Sequence, residues 1–448
     1  MSRSRKAETQ EGFVLRGGLV VDAAAETTAP GDVLVRGGTV EEIGPDLKVD
    51  GRTAEFDVSG SLVCPGLIDM HVHLREPGRE DKETIETGTR AAVHGGFTAV
   101  ACMPNTEPPL DNHGTVAFVV ERARSVGACR VLPVAAITMG RKGKILTEMF
   151  DVAAAGAVAV TDDGDPVADS GVMRSAFEYA SMASLPIIAH SEDKGLSRNG
   201  MMHEGSVSTR LGLRGIPSAS EEVMVARDLK LAALTRGRLH VTHVSSATTV
   251  EMIREAKSRG LRVTADVTPH HLSLTHEAVV DYDTSTKINP PLRREEDRTA
   301  LLEGLRDGTI DCVATDHAPH TEIEKDVEFD EAPFGAIGLE TAVGVVFTYA
   351  VHTDLLTAAQ AVARMSRAPA EVLGLAGAGI LAPGGPADIT VIDPDREWKV
   401  DTGRFKSKSR NSPFAGYKLR GAPVMTVVGG KIAFAEQGLE ARRKVKTA

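Results

Sequence analysis

The sequence predicts an α/β protein, a (β/α)8 TIM-like barrel carrying a small β-sandwich built from both chain ends. Three observations point there. Between about residues 67 and 374, eight short apolar runs alternate with helix-forming stretches, the pattern of parallel strands with crossover helices, and eight strands close a barrel. Nearly every one of these runs ends in a histidine, an asparagine or an aspartate. The texture of short strands before residue 66 also returns after residue 375, so two distant segments read as one β module.

Taken in order, residues 1–12 are polar and lack the apolar segment of a secretory signal, so they are expected to form a disordered lead-in to a cytoplasmic enzyme. Residues 13–66 alternate apolar runs such as Phe13-Val14-Leu15, Leu19-Val20-Val21 and Asp32-Val33-Leu34-Val35 with Gly, Pro and Asp, and supply the first part of the sandwich. Barrel strands are expected at Leu67 to His73, Thr98 to Met103, Val131 to Ile137, Ala157 to Thr161, Pro186 to His190, Leu239 to His243, Arg262 to Val267 and Asp311 to Thr315. Segments such as Glu86 to Ala92 and Ser220 to Arg227 have the composition and spacing of the intervening helices. Two long connections, from about Ser191 to Ser220 and from Ala318 to Leu339, are expected to form the rim and lid of a site. Residues 375–448 complete the sandwich through Ala387 to Ile392 and Val424 to Val428, and end in a basic tail, Arg442, Arg443, Lys444 and Lys446, that reads as solvated.

Bulk properties narrow the function. A chain of 448 residues exceeds one ordinary core, which suits a large domain with a smaller one. Its 42% hydrophobic content contains no apolar run long enough to span a membrane. A formal charge of -11 argues against a nucleic-acid surface, which needs a basic stripe. Cys64, Cys102, Cys129 and Cys312 are scattered without a close pair, giving neither a disulfide framework nor a thiolate zinc site.

In such a barrel the reactive groups sit at the carboxyl ends of the strands. Here those ends carry His71 and His73, Asn105, Asp162 with Asp163, His190, His243, His270 with His271, and Asp316 with His317. Taken singly, His190 or His243 is better explained as a hydrogen-bonded structural histidine, and a His-x-His pair on a strand can simply face solvent. Four histidines and two carboxylates converging on one barrel mouth reverse that balance, because nitrogen and carboxylate donors together suit Zn²⁺ or a similar divalent ion. His94, His113, His203, His276 and His352 fall in helices or loops and read as surface or structural. In a regular strand His240 lies opposite His243, so it is expected to face the helix layer and carries no chemistry.

The order Pro65-Gly66-Leu67-Ile68-Asp69-Met70-His71-Val72-His73, the histidines of strands five and six, and Ala314-Thr315-Asp316-His317-Ala318-Pro319-His320 resemble the cyclic-amidohydrolase branch of the amidohydrolase superfamily. Within it, His71 to Gly78, Met103-Pro104-Asn105-Thr106, Thr161-Asp162-Asp163-Gly164 and Asn289-Pro290-Pro291-Leu292-Arg293 resemble type I dihydroorotases, from about residue 13 to the end of the chain. Hydantoinases and many other relatives bridge two metals with a carboxylated lysine at the end of strand four, but no lysine occurs between Lys144 and Lys194. The resemblance gives the bridging role to Asp163, while spacing alone leaves Asp162 open.

The resemblance implies one metal among His71, His73, Asp163 and Asp316 and a second among Asp163, His190 and His243, with one or two zinc ions bound. It implies the reversible cyclisation of N-carbamoyl-L-aspartate to L-dihydroorotate in de novo pyrimidine biosynthesis, with Asp316 as the catalytic proton acceptor and donor. Arg75, two residues beyond His73, is the candidate for binding the substrate carboxylate, since a guanidinium offers a planar bidentate donor. Asn105, Asn289 and His320 match further substrate contacts, and Phe334 and Gly335 match backbone contacts from the lid. A homo-oligomer, a dimer, and a complex with aspartate transcarbamoylase are the implied partners. The alternatives are a hydantoinase or allantoinase, and an inactive scaffold for the transcarbamoylase.

Overall fold

The computed structural model describes residues 12–51 and 53–439; the expected lead-in, apart from Gly12, and the basic tail lie outside the described residues. The expected barrel strands form at Leu67–Val72, Phe97–Cys102, Arg130–Ala135, Ala159–Val160, Ile187–Ala189, Leu239–Val241, Val263–Val267 and Cys312–Val313. Each pairs in parallel with the next in chain order. Every residue of the first two strands is buried, as a strand needs when helices cover one face and barrel side chains fill the other. On the outer face, Leu67, Val100, Ala135, Val160, Leu239 and Val267 share a core with the helix residues Ala91, Val116, Ala176, Val225, Ile253 and Leu301. Inside, Met70, Ala101, Val134, Ala159, Ile188 and Cys312 pack together, with Val372 and Leu373 of the helix Arg367–Leu373 joining them. The barrel is therefore a filled core whose free surface lies at the strand ends.

The first and eighth strands meet through side chains as much as through backbone. Val72 forms a single parallel bridge with His317, and the His73 N–H donates to the His317 carbonyl at 2.8 Å. Above that, the buried Asp69 carboxylate accepts the Thr315 N–H at 3.1 Å and the Thr315 hydroxyl at 2.5 Å. The first strand also contains an extra residue: Asp69 pairs with Val100 and Val72 with Cys102, three steps against two. Such a bulge re-aims the side chains beyond it. Met70 stays in the interior cluster, Val72 and Leu74 join the helix-side core, and His71 and His73 turn towards the barrel mouth.

Helix boundaries follow local chemistry. Ile85–His94 starts at Thr84, whose side chain accepts the Thr87 N–H in a reciprocal cap, and stops at Gly95 and Gly96. A side chain at Gly95 would stand 2.1 Å from the Leu339 carbonyl oxygen, so the backbones meet there only because the residue is glycine. The connection after strand five is more ordered than a bare loop. It folds into the short helices Lys194–Ser197 and Ser206–Leu211 and a parallel pair of Met202–His203 with Gly215–Ile216. The expected lid contains the short helix Glu322–Lys325.

Both chain ends feed one further sheet, in the order Lys431–Ala435, Lys418–Val428, Ile389–Lys399, Leu62–Pro65, Phe13–Asp22, Thr27–Arg36 and Thr39–Gly44, with Ala54–Asp57 also pairing with Phe13–Asp22. Leu15, Val33, Val35, Phe56, Val63, Ile389, Val391, Met425 and Val427 form its core. This is the sandwich expected from the two termini. No helix among the described residues is long and apolar enough to cross a membrane.

Replacing Thr315 with valine keeps the shape but removes the hydroxyl that Asp69 accepts. Urea unfolding of Thr315→Val is expected to show a loss of about 1–3 kcal/mol, the cost of orphaning a buried acceptor. An unchanged midpoint would show that the seam does not depend on this pair.

Candidate metal centre and active site

At the barrel mouth the structure brings His71, His73, Asp163, His190, His243 and Asp316 together, all buried. Asp163 lies at the centre. Its Oδ2 faces His71 Nε2 at 3.5 Å and His73 Nε2 at 3.6 Å, while its Oδ1 faces His190 Nδ1 at 3.4 Å and His243 Nε2 at 3.8 Å. Asp316 Oδ1 lies 3.0 Å from His73 Nε2 and 3.5 Å from His71 Nε2. Asp162 turns away: its carboxylate accepts the Thr138 N–H at 3.0 Å and the Thr138 hydroxyl.

Among the described residues, two sets have candidate ligand atoms mutually within 4.8 Å: His71 with Asp163 and His243, and His71 with His73 and Asp316. His190 adjoins the first, its Nδ1 lying 2.9 Å from His243 Nε2. His71 Nε2 is buried without a hydrogen-bond partner while facing two carboxylates, a position that calls for a cation. Burial opposes charge on His71, yet Asp163 and Asp316 push it up to about 10. Burial likewise works against ionisation of Asp163, but His71, His190 and His243 hold it well below the usual carboxylate range. Donors of this kind, in a field that demands positive charge, fit a divalent metal ion.

Hydrogen bonds behind the candidate ligands set their orientation. His71 Nδ1 donates to the Thr242 hydroxyl at 2.8 Å, and that hydroxyl donates to Asp266 Oδ2 at 2.8 Å, leaving the His71 Nε2 lone pair for the centre. Asp266 Oδ1 accepts the His243 N–H at 2.7 Å, and His243 takes a φ of 39°. His73 Nδ1 bonds Asn105 Oδ1 at 2.8 Å, so Asn105 steadies the His73 ring. His190 Nε2 bonds Glu192 at 3.2 Å, and Glu192 also accepts Lys194 at 2.6 Å and Asn289 at 3.0 Å.

His240 corrects an expectation. It faces the barrel interior, bonding Asp266 Oδ2 and Thr264 Oγ1, each at 2.8 Å, while its neighbours Leu239 and Val241 enter the helix-side core. The assumed alternation fails because the strand ends at Val241 and the positive φ of His243 breaks its parity. Asp266, Thr242 and Glu192 were also not expected from sequence. A lone aspartate inside the apolar run Val263–Val267 was the available signal, since a buried charge requires partners.

Among the expected substrate contacts, Arg75 adopts a φ of 61° and its Nε donates to the Pro319 carbonyl at 3.2 Å. Burial pulls the guanidinium down to about 10, with Asp316 and Asp163 opposing, so it stays charged at neutral pH. His320 accepts from Lys82 Nζ at Nδ1, 3.2 Å, and donates from Nε2 to the Phe334 carbonyl at 2.9 Å. Burial, Arg75 and Lys82 push it down to about 2, so the imidazole is neutral. Gly335, beside Phe334, has a φ of 126°, and a Cβ there would lie 2.7 Å from that of Ala318.

Comparison with known proteins places this geometry in context. Residues 60–249 match the dihydro-orotase-like family model, and residues 220–434 match the amidohydrolase family model. The chain is 56% identical over 425 residues to the dihydroorotase of Pelotomaculum thermopropionicum, covering 95% of this chain and 99% of that protein. It is 52% identical over 409 residues to the dihydroorotase of Desulforapulum autotrophicum, covering 90% and 94%. Among solved structures, the L-hydantoinase (dihydropyrimidinase) from Arthrobacter aurescens superposes with a TM-score of 0.86 at 25% identity, over 96% of this chain and 97% of that one.

The relay behind His71 can be tested apart from turnover. Thr242→Val is expected to weaken metal affinity by roughly 10- to 100-fold, read by chelator competition, because such supporting bonds orient the ligand. Affinity equal to the unaltered protein would exclude the relay.

Proposed function

The chain belongs to the dihydroorotase family of amidohydrolases and is a metal-dependent cyclic amide hydrolase, and we propose that it interconverts N-carbamoyl-L-aspartate and L-dihydroorotate through the residues gathered at its barrel mouth. The observation that carries the site assignment is Asp163, with Oδ2 towards His71 and His73 and Oδ1 towards His190 and His243. That disposition supports a carboxylate shared between two metal positions, where hydantoinases use a modified lysine. His71, His73, Asp163 and Asp316 would hold one zinc ion, and Asp163, His190 and His243 a second, with one or two bound. A zinc ion held there would lower the pKa of bound water towards ~7 and polarise the scissile carbonyl.

In ring opening, the Asp316 carboxylate accepts the proton of the attacking water and delivers it to the departing amide nitrogen. In ring closure the same carboxylate takes the proton from the carbamoyl nitrogen, as microscopic reversibility requires. Burial works against charge on Asp316, but His71, His73 and His243 hold its carboxyl below the usual carboxylate range, ready to accept. Arg75 binds the substrate carboxylate with its guanidinium, which remains charged despite burial. Asn105, Asn289 and His320 contact the remaining polar groups, and the backbone at Phe334 and Gly335 closes over the ring. Neutral His320, its proton held on Nε2, offers a donor without adding charge beside Arg75.

The hydantoinase reading draws on the fold shared with the Arthrobacter enzyme at 25% identity. Identities of 56% and 52% to dihydroorotases, together with Arg75 and Asp163, favour the first reading. The scaffold reading is disfavoured because every proposed ligand is present. A cytoplasmic dimer that associates with aspartate transcarbamoylase completes the proposal; sizing and activity of the purified chain, alone and with that partner, test it.

The deciding assay compares L-dihydroorotate with hydantoin and allantoin at measured zinc content; preference for either of the latter would overturn the substrate. Asp316→Ala is expected to lower kcat by at least the roughly 100- to 10,000-fold associated with losing a general base, with the circular dichroism spectrum unchanged. Arg75→Lys should raise KM for dihydroorotate, since an ammonium lacks the bidentate fork. An unchanged KM would remove Arg75 from carboxylate binding.

A further inference from the structure

The loop from Ala318 to Leu339 leaves and rejoins the barrel at nearly one point. The Ala318 N–H donates to the Ala336 carbonyl at 2.8 Å, and His317 bridges Ala336 in parallel fashion. Both ends of the loop are also held by a residue from the other structural unit. Asn411 lies between the strands Ile389–Lys399 and Lys418–Val428 of the terminal sheet. Its connecting segment reaches back to the barrel mouth: Lys406 and Ser407 N–H groups donate to Glu340, Lys408 N–H and the Ser407 hydroxyl donate to Glu83, and the Ser409 hydroxyl donates to the Lys82 carbonyl.

At the end of this segment Asn411 is 5% exposed, and both hydrogens of its carboxamide and its oxygen are engaged in hydrogen bonds. Its Nδ2 donates to the carbonyls of Ala318 and Gly335, each at 3.1 Å. Its Oδ1 accepts the His320 N–H at 3.3 Å, and its backbone carbonyl accepts the Ile337 N–H at 3.0 Å. The amide orientation follows from these partners, because the flipped group would set an oxygen against two carbonyls. One side chain thus ties the departing strand of the loop, the returning strand, and His320 into a single arrangement. The middle of the loop has separate anchors, Lys287 on the carbonyls of Phe329 and Asp330 and Lys325 on that of Pro333.

We propose that Asn411 is a positioning residue for substrate binding, a carboxamide supplied by the terminal sheet that sets where the barrel loop presents His320 and Gly335. This rests on the substrate contacts proposed above for those two residues. The terminal sheet therefore contributes to substrate affinity through the loop, without itself reaching the reacting atoms.

Asn411→Asp tests this. The aspartate still accepts from His320 but replaces both donors with an oxygen facing the Ala318 and Gly335 carbonyls. KM for L-dihydroorotate is expected to rise roughly 10- to 100-fold, the scale of orphaning buried carbonyls, with kcat and bound metal changed far less. Amide hydrogen exchange at His320 and Gly335 to Ile337 should accelerate while the barrel strands keep their protection. An unchanged KM with unchanged loop exchange would overturn the proposal, as would a fall in kcat at constant KM. If the unaltered protein does not turn over dihydroorotate, the substrate reading fails, and the exchange measurement still decides whether Asn411 holds the loop. Should Asn411→Asp not fold, native-state exchange on the unaltered protein decides: common protection of His320, Ile337 and residues 409–414 supports the clamp, and free exchange of the loop amides beside a protected 409–414 segment overturns it.

Discussion

Two carboxylates, Asp163 and Asp316, are buried at the barrel mouth, near the apolar interior cluster of Met70, Ala101, Val134, Ala159, Ile188 and Cys312. An ionised carboxylate taken from water is costly unless positive charge and hydrogen bonds surround it. Four imidazoles supply the surroundings, but neutral imidazoles alone do not supply the charge. Charge balance accounts for the high basicity of His71 and the depressed Asp163 and Asp316, and a divalent metal ion satisfies the same demand. Much of the local architecture follows from keeping this cluster together.

Three of the four imidazoles are held by a partner on the far side, so that the near nitrogen stays aimed inward. His71 rests on Thr242 and Asp266, His73 on Asn105, and His190 on Glu192. Asp266 unites two elements, since it also fixes the His243 backbone and accepts from His240. The backbone gives way to suit: Arg75, His243 and Asp316 all occupy positive φ, a conformation costing roughly 1–2 kcal/mol each for a side chain of L configuration. Such strain persists only where surrounding bonds over-determine the position, and the Asp266 to His243 bond is one of them.

The barrel and the terminal sheet are joined at the functional end as well as along their cores. Glu83 receives Ser407 and Lys408 from the C-terminal segment and also bonds His317, next to Asp316, at 3.4 Å. The strand seam at Asp69 and Thr315 lies directly before the same aspartate. Closure of the barrel, docking of the C-terminal segment and placement of the Asp316 carboxylate thus share one short stretch of chain.

Much of this was legible in the sequence because its signals are local. Apolar runs of strand length, punctuated by Gly and Pro, placed all eight barrel strands, and His71-Val72-His73 announced a donor pair through the two-residue period of a strand. Strand ends are where a barrel exposes side chains, so His190, His243, Asp163 and Asp316 could be gathered before any geometry was known. Other features required the folded chain. Asp162 and Asp163 differ in role because the backbone turns the first towards Thr138, which no spacing encodes. His240 faces inward because a positive φ at His243 ends the regular alternation. Thr242 and Asn411 belong to hydrogen bonds whose partners are brought together by tertiary folding. Periodicity along the chain determined which residues could reach the barrel mouth; long-range hydrogen bonding, which only tertiary structure creates, decided which atom of each one points there.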